Sequence, residues 1–127
     1  MRGASALDET LAKLPDARIR AFVVWEPVIR TDIAPPTSSV LGKVRDARAA
    51  QFWDPERGVS DALRETARAN RVRLRSGVDV PSVVWDAVLV YGPEARWGEQ
   101  IPVPAYYGGP VESVIGEAQQ ALSAELR

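Results

Sequence analysis

A tryptophan followed directly by a carboxylic acid occurs three times in this sequence, in the segments Trp25-Glu26-Pro27, Trp53-Asp54-Pro55 and Trp85-Asp86. A carboxyl group beside a large apolar ring is poorly solvated, which raises its pKa and suits it to general acid or base catalysis. The structural alternative is that the tryptophans cover the rim of the core, while Asp54 caps a helix and Glu26 precedes a turn.

The segment Glu26–Asp32 carries the densest group of chemically active side chains. It contains Pro27 and places two carboxylates, the Arg30 guanidinium and the Thr31 hydroxyl within a short span. An arginine–carboxylate pair there could bind a ligand or could hold the loop in place. Glu26 and Asp32 lack the closely spaced oxygen ligands of a calcium loop, so no metal site is predicted.

The adjacent rings of Tyr106 and Tyr107 are a second candidate contact surface, because aromatic rings can stack on a ligand or a partner. The glycines that follow, Gly108 and Gly109, alternatively form the turn into the last helix. The arginines between Arg64 and Arg75 could form an anion-binding patch, but the nearby acids Asp61 and Glu65 favour a solvated helix face.

The residue types that are missing exclude several kinds of chemistry. The chain has 0 cysteines and 0 histidines. It therefore offers no catalytic triad with histidine, no cysteine nucleophile, no Cys/His zinc site and no dithiol redox centre. No cofactor is predicted.

The charge balance argues against a nucleic-acid partner, because 16 basic and 17 acidic residues give a net charge of −1. No apolar run reaches the roughly 18 residues that suggest a membrane span. The opening residues do not form a signal peptide, so we expect a cytoplasmic chain. The partner we expect is a protein or a peptide.

The elements that must position these side chains can be predicted from hydrophobic spacing. The 127 residues suit one domain, residues 1–127. Leu7, Leu11 and Leu14 predict a first helix that Ser5 caps. The apolar run Arg18–Trp25 predicts a central strand that is buried on both faces.

The rest of the chain alternates in the same way. We predict a short helix near Ser38, a strand over Arg48–Trp53, a helix over Asp61–Asn70 and a strand over Val83–Tyr91. Arg96-Trp97 is predicted to form the hairpin partner of that strand, and a last helix follows Pro110. This order predicts an α/β fold with helices flanking one mixed sheet.

With these elements in place, the chain resembles the thioredoxin-like superfamily, in particular bacterial thioredoxin-domain proteins. The resemblance is carried by Val23-Val24-Trp25-Glu26-Pro27 with Thr31-Asp32, and by Phe52-Trp53-Asp54-Pro55. The last part of the chain is similar to the closing strand–strand–helix unit of that family. The resemblance implies a thioredoxin-like sandwich.

The chain departs from the family in two places. In the family a first core strand is followed by a C-x-x-C pair at the start of a helix, whereas this sequence opens with what looks like that helix and lacks the strand and the cysteines. The family's cis-proline also has no counterpart, and Trp85-Asp86 comes closest to its place. We therefore expect Met1 to be an internal start, with the missing strand and the cysteines encoded upstream.

Two functions follow from the resemblance. One is a thiol–disulfide oxidoreductase whose reactive cysteines lie outside this chain, with Glu26, Asp32 and Asp86 as proton-transfer or orienting groups. The other is a cysteine-free binding module that contacts a partner through Trp25–Asp32 and the two tyrosines. A carboxylate-based enzyme of another fold is a third alternative.

Overall fold

The computed structural model describes residues 2–29, 34–70 and 84–127. Helices and strands alternate along these segments, and this alternation confirms the α/β class. The elements are α1 (Arg2–Lys13), β1 (Ala21–Trp25), α2 (Ser38–Leu41), β2 (Ala49–Trp53), α3 (Gly58–Asn70), β3 (Val88–Val90), β4 (Tyr106–Gly108) and α4 (Val111–Glu125).

Helix α1 forms where the leucine spacing predicts it, and it buries Leu11 to 2% exposure. The predicted cap at Ser5 is wrong, because the helix already includes Arg2. Asp8 is consequently beyond the first turn and serves a tertiary contact. Its Oδ1 accepts hydrogen bonds from the main-chain N–H groups of Arg45 at 2.7 Å and Asp46 at 3.2 Å.

Strands β1 and β2 form a parallel pair in which Ala21 lies opposite Ala49 and Trp25 opposite Trp53. The prediction that β1 is a central strand buried on both faces is wrong. Within the described residues β1 pairs with β2 alone, and Phe22 is 70% exposed. Phe22 instead stacks on Phe52 of β2, with a distance of 6.4 Å between ring centroids.

Strands β3 and β4 form a separate antiparallel pair. The predicted strand over Val83–Tyr91 is shortened to Val88–Val90 in the part of it that is described. The predicted hairpin partner Arg96-Trp97 is wrong, because β4 takes that place. The Trp97 ring instead packs edge-on against Tyr91, with a distance of 5.9 Å between ring centroids.

The β3–β4 pair lies between helices on its two faces. Neighbouring residues of a strand point to opposite faces of a sheet. The Tyr106 hydroxyl accordingly donates a hydrogen bond to Glu117 of α4 over 3.0 Å, whereas Tyr107 lines a crevice with Leu63 and Ala67 of α3. Helix α4 also packs against α1. Helix α4 therefore packs on one face of this pair, and α3 approaches the other face at the crevice.

The single mixed sheet that the sequence predicts is therefore replaced, among the described residues, by one parallel and one antiparallel pair of strands. In the described segments no helix is both long and apolar enough to cross a membrane.

Candidate functional site

The carboxyl ends of β1 and β2 bring two acidic residues to the same edge of the parallel pair. The strands run side by side to Trp25 and Trp53, and the main-chain N–H of Asp54 donates to the Trp25 carbonyl oxygen over 2.8 Å. Glu26 and Asp54 follow these tryptophans directly. Ligands of open α/β sheets commonly bind beyond the carboxyl ends of strands.

The first turn of α3 completes this group of residues. The main-chain N–H groups of this turn have no partner inside the helix, and they donate hydrogen bonds to the two carboxylates instead. Glu26 Oε1 accepts from the main-chain N–H of Ser60 at 3.0 Å, and Asp54 Oδ2 accepts from that of Val59 at 2.8 Å.

Ser60 links this site to the segment that leads into β3. It is 1% exposed, and its hydroxyl oxygen accepts a hydrogen bond from the main-chain N–H of Val84 over 2.7 Å. Four parts of the chain therefore meet around Glu26: the carboxyl ends of β1 and β2, the first turn of α3, and Val84.

Burial raises the pKa of Glu26 from 4.5 to about 7. The hydrogen bond from Ser60 lowers the pKa and opposes this effect, whereas the nearby negative charge of Asp54 raises it further. The other carboxyl oxygen, Oε2, is buried and has no hydrogen-bond partner in the described structure. Glu26 can therefore take up or release a proton near neutral pH.

Trp25 and Pro27, the neighbours of Glu26 in sequence, are half-buried and buried respectively. The Trp25 indole N–H donates to the side-chain oxygen of Gln51 over 3.0 Å. The Gln51 amide then donates to the carbonyl oxygens of Leu41 at 2.9 Å and Val44 at 3.2 Å. Pro27 is buried. These contacts support the structural reading of Trp25 as a residue that covers the core.

Three large apolar side chains remain exposed next to the Glu26 site. Val28 is 41% exposed, Ile29 is 61% exposed and Trp85 is 59% exposed. Val28 and Ile29 follow Pro27 at the end of β1, and Trp85 follows the residue bonded to Ser60. We refer to Val28, Ile29 and Trp85 together as the apolar rim.

Asp86 belongs to a different place in the fold, the amino end of α4. Its Oδ1 lies 3.2 Å from the main-chain N–H of Val111 and accepts a hydrogen bond from it. Its backbone has a φ of 47°. Its carbonyl oxygen lies 2.6 Å from where a Cβ atom on Gly109 would stand, so only glycine fits there. Asp86 thus has a structural role in joining β3 to α4.

The two tyrosines do not form a common stacking surface, because they face α4 and α3 respectively. Both are half-buried, and burial raises the pKa of Tyr107. Arg30 and Asp32 lie outside the described residues, as do Arg71, Arg73 and Arg75 of the arginine group. Arg64, which is described, pairs with Asp61 over 3.6 Å.

Two residues of this site were not singled out by their chemistry in the sequence. Ser60 lies inside α3, which begins at Gly58. Gln51 lies within a short strand and carries no motif. No cluster of three or more metal-ligating side chains occurs in residues 2–29, 34–70 and 84–127.

Comparison of the chain with protein-family models, with curated proteins and with solved structures found no match.

Proposed function

We propose that this chain is a thioredoxin-like domain of the thiol–disulfide oxidoreductase family that has no dithiol chemistry of its own and works as a binding module. The resemblance in sequence supports the fold, and so does the β3–β4–α4 order, which is the closing unit that the resemblance implies. Because the chain has no cysteine, dithiol chemistry is not open to these residues, and binding is the function that we propose for them.

The observation that carries the binding function is the apolar rim beside Glu26. Single exposed apolar side chains are ordinary, whereas a group of them around a buried polar site marks a contact surface. Val28 and Ile29 follow the end of β1, and Trp85 follows Val84, which is bonded to Ser60, so these exposed side chains belong to segments that meet at the strand ends where α/β proteins commonly bind ligands. The ligand class that suits an apolar rim around one carboxyl group is a polypeptide segment.

Titration with a panel of blocked, unstructured dodecapeptides tests this function. We expect apolar peptides to shift the amide NMR signals of the rim, and we expect Trp85→Ala to weaken binding at least tenfold. Trp97→Ala is the matched control, because Trp97 is 50% exposed but packs on Tyr91. Equal loss of binding in both variants, or no binding by any peptide, would reject the proposal.

A second candidate function is suggested by Glu26. A carboxyl group with a pKa of about 7 is suited to move protons at neutral pH, as a thiol–disulfide oxidoreductase requires if its cysteines are supplied from outside these residues. The intact mass of the protein isolated from its source decides between the two. Cysteine-containing peptides joined to Met1 would favour the oxidoreductase, and a mass of 13.9 kDa would favour the binding module.

A further inference from the structure

The carboxyl groups of Glu26 and Asp54 lie within hydrogen-bonding reach of each other. An ionised carboxylate only accepts hydrogen bonds, so a bond between two carboxyl groups requires a proton on one of them. Oε1 of Glu26 already accepts from the main-chain N–H of Ser60, which leaves the buried Oε2 to carry this proton. As an O–H group, Oε2 can donate to Asp54, whereas as an ionised oxygen it has no partner in the described structure.

Within the described residues, the charged groups that act on Glu26 are acidic. Asp54 approaches it from the end of β2 and Asp61 from the first turn of α3. Asp61 is exposed and pairs with Arg64 over 3.6 Å, so Asp54 has the greater effect. In the segment that leads into β3, Asp86 bonds to the amino end of α4 instead. Loss of the Glu26 proton therefore places two negative charges side by side in a half-buried site.

Two successive hydrogen bonds connect this carboxyl pair to the apolar rim. Ser60 donates its main-chain N–H to Glu26, and its hydroxyl oxygen accepts from the N–H of Val84, the residue before Trp85. The other two rim residues follow Glu26 closely along the chain. The position of Trp85 relative to the rest of the rim therefore depends on the bond between Glu26 and Ser60.

We propose that Glu26 and Asp54 form a pH switch that controls the apolar rim. In its closed state, below neutral pH, the proton that Glu26 donates to Asp54 keeps Glu26 against Ser60, and Ser60 keeps Val84 and Trp85 at the strand ends. In its open state, above neutral pH, the repelled Glu26 side chain turns to water, Ser60 loses its acceptor, and Trp85 moves away from the rest of the rim. This inference rests on the proposed binding function and adds its regulation: the rim binds its ligand in the closed state.

Amide hydrogen exchange of the full chain, followed by NMR at pH 6 and pH 8, tests the switch without any ligand. These values lie on either side of the Glu26 titration, since its pKa is about 7. After correction for the intrinsic pH dependence of exchange, the protection of the Ser60 and Val84 amides should fall at least tenfold more than that of Val90 in β3. The Val90 amide should lose only as much protection as the global stability does. Equal changes at the three amides would overturn the inference.

Glu26→Gln should keep the switch closed at both pH values. Its amide oxygen can accept from Ser60 and its N–H group can donate to Asp54, and neither bond depends on a proton that titrates. Glu56→Gln is the matched control, because Glu56 is exposed and lies two positions after Asp54. This control should open at pH 8 as the wild type does. Opening of Glu26→Gln to the same extent as the wild type would overturn the inference.

Asp54→Asn is a second, independent variant, which serves if Glu26→Gln does not fold. Its amide N–H group can donate to an ionised Glu26, and its oxygen can still accept from Val59. We therefore expect the Ser60 amide to keep its protection at pH 8 in this variant as well. Loss of that protection would contradict the role of the carboxyl pair.

Peptide binding at the two pH values separates this inference from the proposed function. The probe is the tightest-binding apolar dodecapeptide of the panel described above, which is blocked at both ends. We expect it to bind at least fivefold more tightly at pH 6 than at pH 8. Equal affinity at both pH values would overturn control of the rim and leave the binding function intact. Absence of binding at both values would reject the binding function, and the amide exchange would then decide on the switch by itself.

Discussion

Glu26 couples the stability of this chain to pH, because the folded state holds its proton more tightly than the unfolded state does. Its pKa is about 7 in the fold against an ordinary value of 4.5. Between these two values the unfolded chain has already lost the proton that the folded chain keeps. The stability from this group is therefore present below pH 4.5 and is lost as the pH rises to about 7.

The variant Glu26→Gln should remove this dependence. The amide keeps an oxygen for the N–H of Ser60 and carries no charge, so we expect the variant to be more stable than the wild type at pH 8, by about 1 kcal/mol because the carboxyl is partly solvated. Urea unfolding at pH 5 and pH 8 measures the difference. Glu94→Gln, in an exposed loop, is the control, and an equal gain at both pH values would contradict the interpretation.

Asp54 affects the same carboxyl group through its charge. Asp54→Asn keeps an oxygen that can accept from Val59 and removes the repulsion that raises the pKa of Glu26. We expect the pKa of Glu26 to fall from about 7 toward its ordinary value. An NMR titration of the Glu26 carboxyl carbon measures the shift, and Asp86→Asn, at the amino end of α4, should leave it unchanged.

Among the elements, α1 depends on a single side chain of the segment before β2. The Arg48 guanidinium donates to the carbonyl oxygens of Leu11 at 2.6 Å, Leu14 at 2.5 Å and Asp16 at 2.9 Å. It also pairs with Asp46 over 2.6 Å and holds the pKa of that carboxyl at about 2. One carbonyl oxygen of the last turn of α1 and two carbonyl oxygens of the residues that follow the helix thus share a donor in one side chain.

We therefore expect Arg48→Ala to lower the urea midpoint clearly, since three carbonyl oxygens and one carboxylate each lose a side-chain donor. Arg45→Ala is the matched control, because Arg45 is 82% exposed and reaches Asp8 only at 3.8 Å. Its midpoint should stay near that of the wild type. Similar midpoints for the two variants would show that the contacts of Arg48 contribute little.

The positions of the elements could be predicted largely from apolar spacing, whereas the neighbours of each strand could not. The run before Glu26 indicated a strand, but its apolar residues do not reveal that Phe22 would face solvent. The sequence predicts the wrong hairpin partner for β3, because Trp97 is close to β3 along the chain, whereas the true partner β4 lies beyond two prolines. Tertiary pairing decides between such segments.

The part of the candidate site that lies at the ends of β1 and β2 can be predicted from the sequence. Parallel strands bring the residues after them to one edge, so Glu26 and Asp54 could be expected to meet. The role of Ser60 depends on where α3 begins, and helix ends are poorly specified by sequence. The separation of Tyr106 from Tyr107 follows from the strand period once β4 is recognised.

For the whole molecule, the two strand pairs differ in how they are covered. Helices α3 and α4 lie on the two faces of the β3–β4 pair, whereas Phe22 and Phe52 leave one face of the β1–β2 pair open to solvent. Local stability follows the number of buried apolar contacts. The amides of Val90 and of α4 should therefore exchange only on global unfolding.

Native-state hydrogen exchange at increasing urea concentration tests this difference. We expect the amides of Val23 and Trp25 to exchange through a local opening that costs less free energy than the opening of Val90 and Ala118. Exchange of all four amides with a single opening free energy would show instead that the described fold unfolds as one cooperative unit.

The packing of α1 against α4 also has a consequence for synthesis of the chain. Arg18 donates to the carbonyl oxygen of Leu126 over 2.9 Å, and Arg2 approaches Glu112 to 3.7 Å. These partners are about a hundred positions apart, so α1 leaves the ribosome long before α4 exists. During that interval α1 has only the contacts to the segment before β2, and the side that packs on α4 is available to chaperones, because a contact between distant segments can form only after both have been translated.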